Sequence, residues 1–171
     1  HPFAAQMSRH AARAAELSGV RLLRLEGPPW RELPGDHWRV VPSMAAAAAA
    51  LGALPRRVFL SIGRLEVGHF AGAPWHDYLI RAIDPFVPPL ERARVLCARG
   101  PFALCDERAL LEREGIEVLV SKNAGTPSTY AKIEAARQLG VPVVMVERPS
   151  LPRVPTVPDA AKVTRSALQN A

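Results

Sequence analysis

Aromatic residues are scarce in this chain, 6% of 171 positions, so any core must rest on Leu, Val, Ile and Ala. A hydrophobic share of 49% is enough to bury such a core, as one domain or as a domain with part of another. No apolar run reaches the roughly 20 residues that a membrane span requires. The alanine tract from Ala45 to Ala50 is short and weakly hydrophobic and reads as helix. There is no secretory signal pattern, although a chain that opens at His1 could have lost one. Two cysteines, Cys97 and Cys105, are too few for a disulfide framework; they read as reduced core thiols, which makes the cytoplasm the simplest compartment.

The usual chemical signatures are also missing. Without G-x-G-x-x-G or G-x-x-x-x-G-K-[ST], neither dinucleotide nor P-loop binding can be read from a motif. There is no H-E-x-x-H or C-x-x-C, and the histidines (His1, His10, His37, His69, His76) show no metal-ligand spacing. No G-x-S-x-G elbow marks a nucleophile, and Asp84, just before Pro85, reads as a strand end rather than a catalytic acid. This inventory suits a reaction that needs no protein acid or nucleophile, such as hydride transfer from a bound cofactor, where the protein positions and supplies electrostatics.

Positive charge is present in excess: 22 basic against 16 acidic residues give +6. That balance permits a polyanionic partner. The cations are scattered, with no run longer than Arg56-Arg57 and no aromatic interleaving, and a small polyanion fits as well as nucleic acid. Only three of the cations are lysines, Lys122, Lys132 and Lys162, and the first two bracket one stretch, "SKNAGTPSTY". A lysine is a compact point charge where arginine is a planar fork.

Along the chain, a helix over about 3–17 stops at Gly19; "VRLLRLE" and "HWRVV" read as strands, and Pro42-Ser43 opens the helix "MAAAAAALGAL". From Arg57 the rhythm is regular. "RVFLSIG", "WHDYLIRAID", "RARVLCARG", "IEVLVSKN" and "VPVVMVERP" read as buried strands. "DERALLEREG" reads as a helix with Asp106 as N-cap and Gly115 at C′, and "STYAKIEAARQLG" as one capped by Ser128 and stopped by Gly140. The alternation predicts an α/β fold with a parallel sheet. Residues 1–54 are expected to be the C-terminal part of a truncated N-terminal domain, 55–152 a second domain, and 153–171 a proline-rich tail with a terminal helix.

In such sheets ligands bind beyond the carboxyl ends of the strands. Three loops fall there: "SIGRLE", "ARGPF" and "SKNAGTPST". Each joins a cation to a glycine: Gly63-Arg64, Arg99-Gly100-Pro101, and Lys122-Asn123 with Gly125. Turn chemistry explains any one of them. Together, on one sheet edge, they predict an anion-receptive shelf.

The set "HPFA", Trp30-Arg31, "FLSIGR", "RGPF" and "VLVSKNAG…TYAKIEAARQLGVPVVMVERP", in that order, resembles the precorrin-6A reductases of cobalamin biosynthesis, from His1 to about Pro152. The resemblance implies two Rossmann-like domains and NADPH-dependent hydride transfer to precorrin-6A, giving precorrin-6B. It also implies a carboxylate-rich tetrapyrrole substrate, which accounts for a basic protein without nucleic acid or membrane partners. Carried over, Gly63, Arg64, Arg99, Gly100, Pro101 and Phe102 would form a cofactor shelf, joined by Lys122 and Asn123. Those two, with Ala124, Gly125 and Thr129, would line the substrate cleft, and His1, Arg31, Lys132 and Arg148 would be carboxylate partners. The family usually has serine where Ala124 stands and often a second glycine at Thr126. The rival readings are a non-enzymatic nucleotide- or anion-binding α/β domain, nucleic-acid binding from charge alone, and a methyltransferase of the same pathway, whose glycine-rich cofactor loop is absent.

Overall fold

The computed structural model describes residues 2–158. His1, and the helix expected over 159–171 with Lys162, lie outside the described residues. Two compact units are present: residues 31–123 with 127–147, and the remainder, comprising 2–30, 124–126 and 148–158 among the described residues.

The larger unit is a Rossmann-like α/β sheet of six strands, all parallel, in the order β2-β7-β6-β3-β4-β5. Its strands are β2 (Trp38–Val41), β3 (Arg57–Ser61), β4 (Asp77–Ala82), β5 (Ala93–Cys97), β6 (Val118–Lys122) and β7 (Val143–Val146). The central ones are continuous apolar runs because both sheet faces are covered. Val58, Phe59 and Leu60 of β3, Leu119 and Val120 of β6 and Ile80 of β4 are fully enclosed. Each such side chain is worth about 1.5–3 kcal/mol. Helix α2 (Met44–Ala50) packs on β7, and α3 (Leu104–Arg113) packs on α4 (Ala131–Leu139). Between β3 and β4 the crossover is a 3-10 turn, Arg64–Phe70, that sinks Val67 and Phe70 into the core.

The smaller unit holds α1 (Ala5–Ser18) and a parallel pair of short strands, β1 (Arg24–Leu25) and β8 (Thr156–Val157). Helix α1 stops where expected, at Gly19 with φ +67°. The Arg148 guanidinium ties the unit together, donating to Glu26 Oε1 at 2.9 Å, Gly27 O at 2.8 Å and Ala124 O at 3.0 Å. None of its described residues is buried, so the core lies entirely in the larger unit.

Several expectations change. The domain boundary falls at Trp30/Arg31 rather than at 54, because β2 pairs in register with β7 (Val40 opposite Met145) and so extends the large sheet. Part of the proline-rich tail belongs to the smaller unit, since Thr156–Val157 finds a partner in β1. Helix α3 starts earlier than Asp106: Ala103 holds the N-cap position, and Asp106 and Glu107 sit in the first turn, where negative charge suits the helix dipole. Ser128 lies in a 3-10 turn, Pro127–Thr129, and Tyr130 takes the N-cap position of α4. Ser43 does cap α2, accepting from Ala46 N–H at 3.1 Å. Cys97 and Cys105 are free, but both are exposed rather than in the core.

His76 is fully enclosed beside the rings of Trp75 and Tyr78, at 5.7 and 5.8 Å between centroids. Burial pushes its pKa below the ordinary histidine value, and the nearby Arg56 charge acts in the same direction. A base whose folded pKa is depressed contributes stability above its unfolded pKa and loses it as pH falls. The urea midpoint is therefore expected to drop as pH falls from 7 toward 5, and His76→Phe to flatten that drop; an unchanged slope in the variant would refute the assignment.

Candidate functional site

The chain leaves β3 toward β4 on one side and β6 toward β7 on the other, although β3 and β6 are neighbours. Adjacent strands whose connections diverge define a switch point, and the crevice beyond their carboxyl ends is the usual ligand position in such sheets. The register sets Ser61 opposite Ser121, so the loops that follow emerge side by side. One carries Gly63, at φ +90° with open space where a Cβ would stand, then Arg64 and Glu66. The other carries Lys122 and Asn123, whose N–H donates to Val146 O at 3.0 Å. Lys122 Nζ meets Glu66 Oε1 at 3.1 Å across the switch point, and His69 Nε2 lies 3.6 Å from Glu66 Oε2. With Glu66 one-third exposed, the lysine pair is worth at most about 1 kcal/mol and can exchange for a ligand anion.

Next to it, the loop after β5 runs Arg99, Gly100, Pro101, Phe102 and leads into the N-terminus of α3. The peptide Gly100–Pro101 is cis. A Cβ on Gly100 would stand 3.2 Å from the Phe102 ring and 3.6 Å from Ser128 O, so this loop abuts the Pro127–Thr129 turn. Under it lies a charged cluster. Arg81 of β4 grips Glu107 of α3 with two bonds, at 2.7 and 3.0 Å, and both side chains are nearly enclosed. The Arg81 guanidinium lies over the Phe102 ring at 4.0 Å and the Phe59 ring at 4.9 Å. Lys132, also buried, donates from Nζ to Thr129 O at 3.0 Å. Burial pulls its pKa down to about 8, against the opposing pull of the Glu107 charge.

The structure thus brings together Gly63, Arg64, Lys122 and Asn123 at the switch point, and Arg99, Gly100, Pro101, Phe102 and Thr129 on the adjoining loops of the same sheet edge. Lys132 is no surface cation: it is enclosed beneath Thr129. Arg148 has its guanidinium committed to Glu26, Gly27 and Ala124 within the smaller unit. Gly125 also belongs there, at φ +72°; a Cβ on it would fall 2.1 Å from Pro28 O and 2.3 Å from Arg148 Nη2. Its glycine is required by close backbone approach. Arg31 is exposed on the segment before β2. Sequence reasoning missed Glu66, Arg81 and Glu107. An arginine inside a strand as apolar as "YLIRA" was the one available signal, since such a charge requires a buried partner.

The family model described as Precorrin-6x reductase CbiJ/CobK matches residues 1–167. The chain belongs to this reductase family. It is 52% identical to a precorrin-6A reductase of Sinorhizobium over 159 residues and 47% identical to that of Rhodobacter capsulatus over 154. These alignments cover 92% and 89% of the chain but 61% of each relative, so the chain spans about three fifths of their length. A solved structure named CobK precorrin-6A reductase superposes with a TM-score of 0.96 at 43% identity, covering 100% of this chain and 69% of the other. Among the described residues no helix is long and apolar enough to cross a membrane, and no group of three or more His, Cys, Asp or Glu is placed to hold a metal ion.

Two outcomes follow for this reductase-family chain. Gly125→Ala forces a side chain into a left-handed position against the Pro28 carbonyl and is expected to cost at least about 1–2 kcal/mol in denaturant titrations. A loss under a few tenths would show that the loop moves aside. For Lys132, a pKa of about 8 in the fold against 10.5 means that its charge costs the fold on the order of 3 kcal/mol at neutral pH. Between pH 8 and 10.5 the unfolded chain holds the proton that the fold has released, so stability rises with pH in that window. Tyr78, raised by burial to about 12, acts oppositely above pH 10. Lys132→Met is expected to abolish the rise seen in urea midpoints from pH 7.5 to 9.5; a rise that persists would mean that another group titrates.

Proposed function

We propose that this chain is part of an NADPH-dependent precorrin-6A reductase, which adds hydride to the tetrapyrrole macrocycle to give precorrin-6B in cobalamin biosynthesis. The observation that carries the reading is two glycine-and-cation loops, Gly63-Arg64 and Arg99-Gly100-Pro101, at the carboxyl edge that also bears Lys122 and Asn123 at a switch point, in a chain of this family. The residues present suit a dinucleotide. Gly63 leaves its outer side open to close approach, Arg64 and Arg99 bring positive charge, and the loop from Arg99 to Phe102 feeds a ten-residue helix whose amide end favours phosphate.

Bound NADPH would supply the hydride, with the balancing proton taken from solvent. The chain's own part is binding and orientation. Gly63, Arg64, Arg99, Gly100, Pro101 and Phe102 form the cofactor shelf. Lys122 and Asn123, at the switch point, face both ligands, and Lys122 exchanges Glu66 for a substrate carboxylate. Thr129 borders the same edge, with Arg31 as a further carboxylate partner. Lys132 and Arg148, given their enclosed settings, act through the loops they hold rather than by touching substrate. A charge-assisted pair of this kind is worth about 1.5–3 kcal/mol.

The test is the full chain with NADPH and precorrin-6A, followed by loss of the reduced-nicotinamide absorbance. Turnover is expected, and Lys122→Ala is expected to raise the KM for the tetrapyrrole on the order of tenfold or more with the fold intact. Binding of nucleotide without any oxidation would instead favour a non-enzymatic anion-binding domain. Unchanged tetrapyrrole affinity in Lys122→Ala would remove Lys122 from the site.

A further inference from the structure

The Arg81, Glu107 and Lys132 side chains are all buried, Glu107 almost completely, and Arg81 and Glu107 form a two-bond pair. Burial of such a group is costly, and a buried ion pair is on its own weak evidence of net stabilisation. Its geometry accounts for it better. Each cation reaches a different loop of the sheet edge: Arg81 stacks under Phe102 at 4.0 Å, and Lys132 Nζ holds Thr129 O at 3.0 Å. Those two loops meet, since Gly100 lies against Ser128 O. Glu107 is bonded twice to Arg81 from the first turn of α3, and α3 packs on α4, which carries the buried Lys132; the Glu107 charge favours the protonated lysine while that of Arg81 opposes it.

We propose that Glu107 is a positioning residue that sets the Arg99–Phe102 loop and the Pro127–Thr129 turn against each other through Arg81 and Lys132. The use of this arrangement for holding the dinucleotide rests on the functional reading above. Two mutually supporting loops present a fixed shelf, so the ordering cost falls on folding rather than on binding. Arginine suits the first arm because its planar face stacks while its fork grips the carboxylate; lysine suits the second, which needs one donor aimed at one carbonyl.

The experiment is amide hydrogen exchange on the full chain without ligand, paired with the KM for NADPH. Glu107→Gln is expected to speed exchange in both 99–103 and 127–133 while the β3 and β6 amides keep their protection. Arg81→Leu should loosen the first segment more than the second, and Lys132→Met the second more than the first. If Glu107→Gln does not fold, the two single-arm variants still decide. Exchange that rises uniformly over the sheet, or in α3 alone, overturns the positioning role. In the supporting case the KM for NADPH rises about tenfold, the equivalent of ~1.4 kcal/mol, with kcat little changed. Coupled loosening at unchanged KM keeps the positioning role and overturns the assignment of these loops to the cofactor.

Discussion

The parallel pairing of β3 with β6 is the constraint on which the site depends. These strands are far apart in sequence and carry connections that leave in opposite directions, yet their register places Ser61 beside Ser121. Everything polar at the switch point follows from that alignment. Glu66 reaches Lys122 because both loops start from the same level of the sheet. The pairing is held by apolar runs buried on both faces, Val58 to Leu60 and Val118 to Val120, so a slip in register would expose several kcal/mol of core.

The second organising feature is how few aromatic rings there are and where two of them go. Phe59 and Phe102 lie on Arg81, and the carboxylate of Glu107 takes both terminal nitrogens while Nε has no partner among the described residues, so a charge deep in an apolar sheet is covered by rings and paired at its end. The smaller unit uses arginine in the same way without a core, with one guanidinium joining Glu26, Gly27 and Ala124. An arginine-rich chain is thereby basic overall while much of its charge is internally engaged. Lys122 is partly exposed and its Nζ pairs with the one-third-exposed Glu66 carboxylate at the switch point.

Much of the large unit was legible in the chain. The strands from Arg57 to Val146, the helices between them and the stops at Gly115 and Gly140 follow from apolar runs and left-handed glycines. Caps were less legible: Ala103 and Tyr130 hold positions that Asp106 and Ser128 would fill by propensity, because tertiary packing fixes where the α3 and α4 turns begin. The boundary at residue 30 was hidden because β2 looks the same whichever sheet it joins, and only its pairing with β7 assigns it. Likewise "SKNAGTPSTY" reads as one loop, whereas its middle three residues belong to the smaller unit. Gly125, at φ +72°, answers to a close approach of the Pro28 carbonyl that the loop sequence does not display.

By itself the sequence determined the α/β class, the order of elements and the three glycine-and-cation loops, because strand and helix periodicity and turn chemistry are local properties. Only the tertiary structure decided which loops are neighbours and which cations are already engaged. Lys122 and Lys132 are ten residues apart and chemically identical. One stands at the switch point and the other is sealed under Thr129, since burial and partner depend on strand order, which no local pattern encodes.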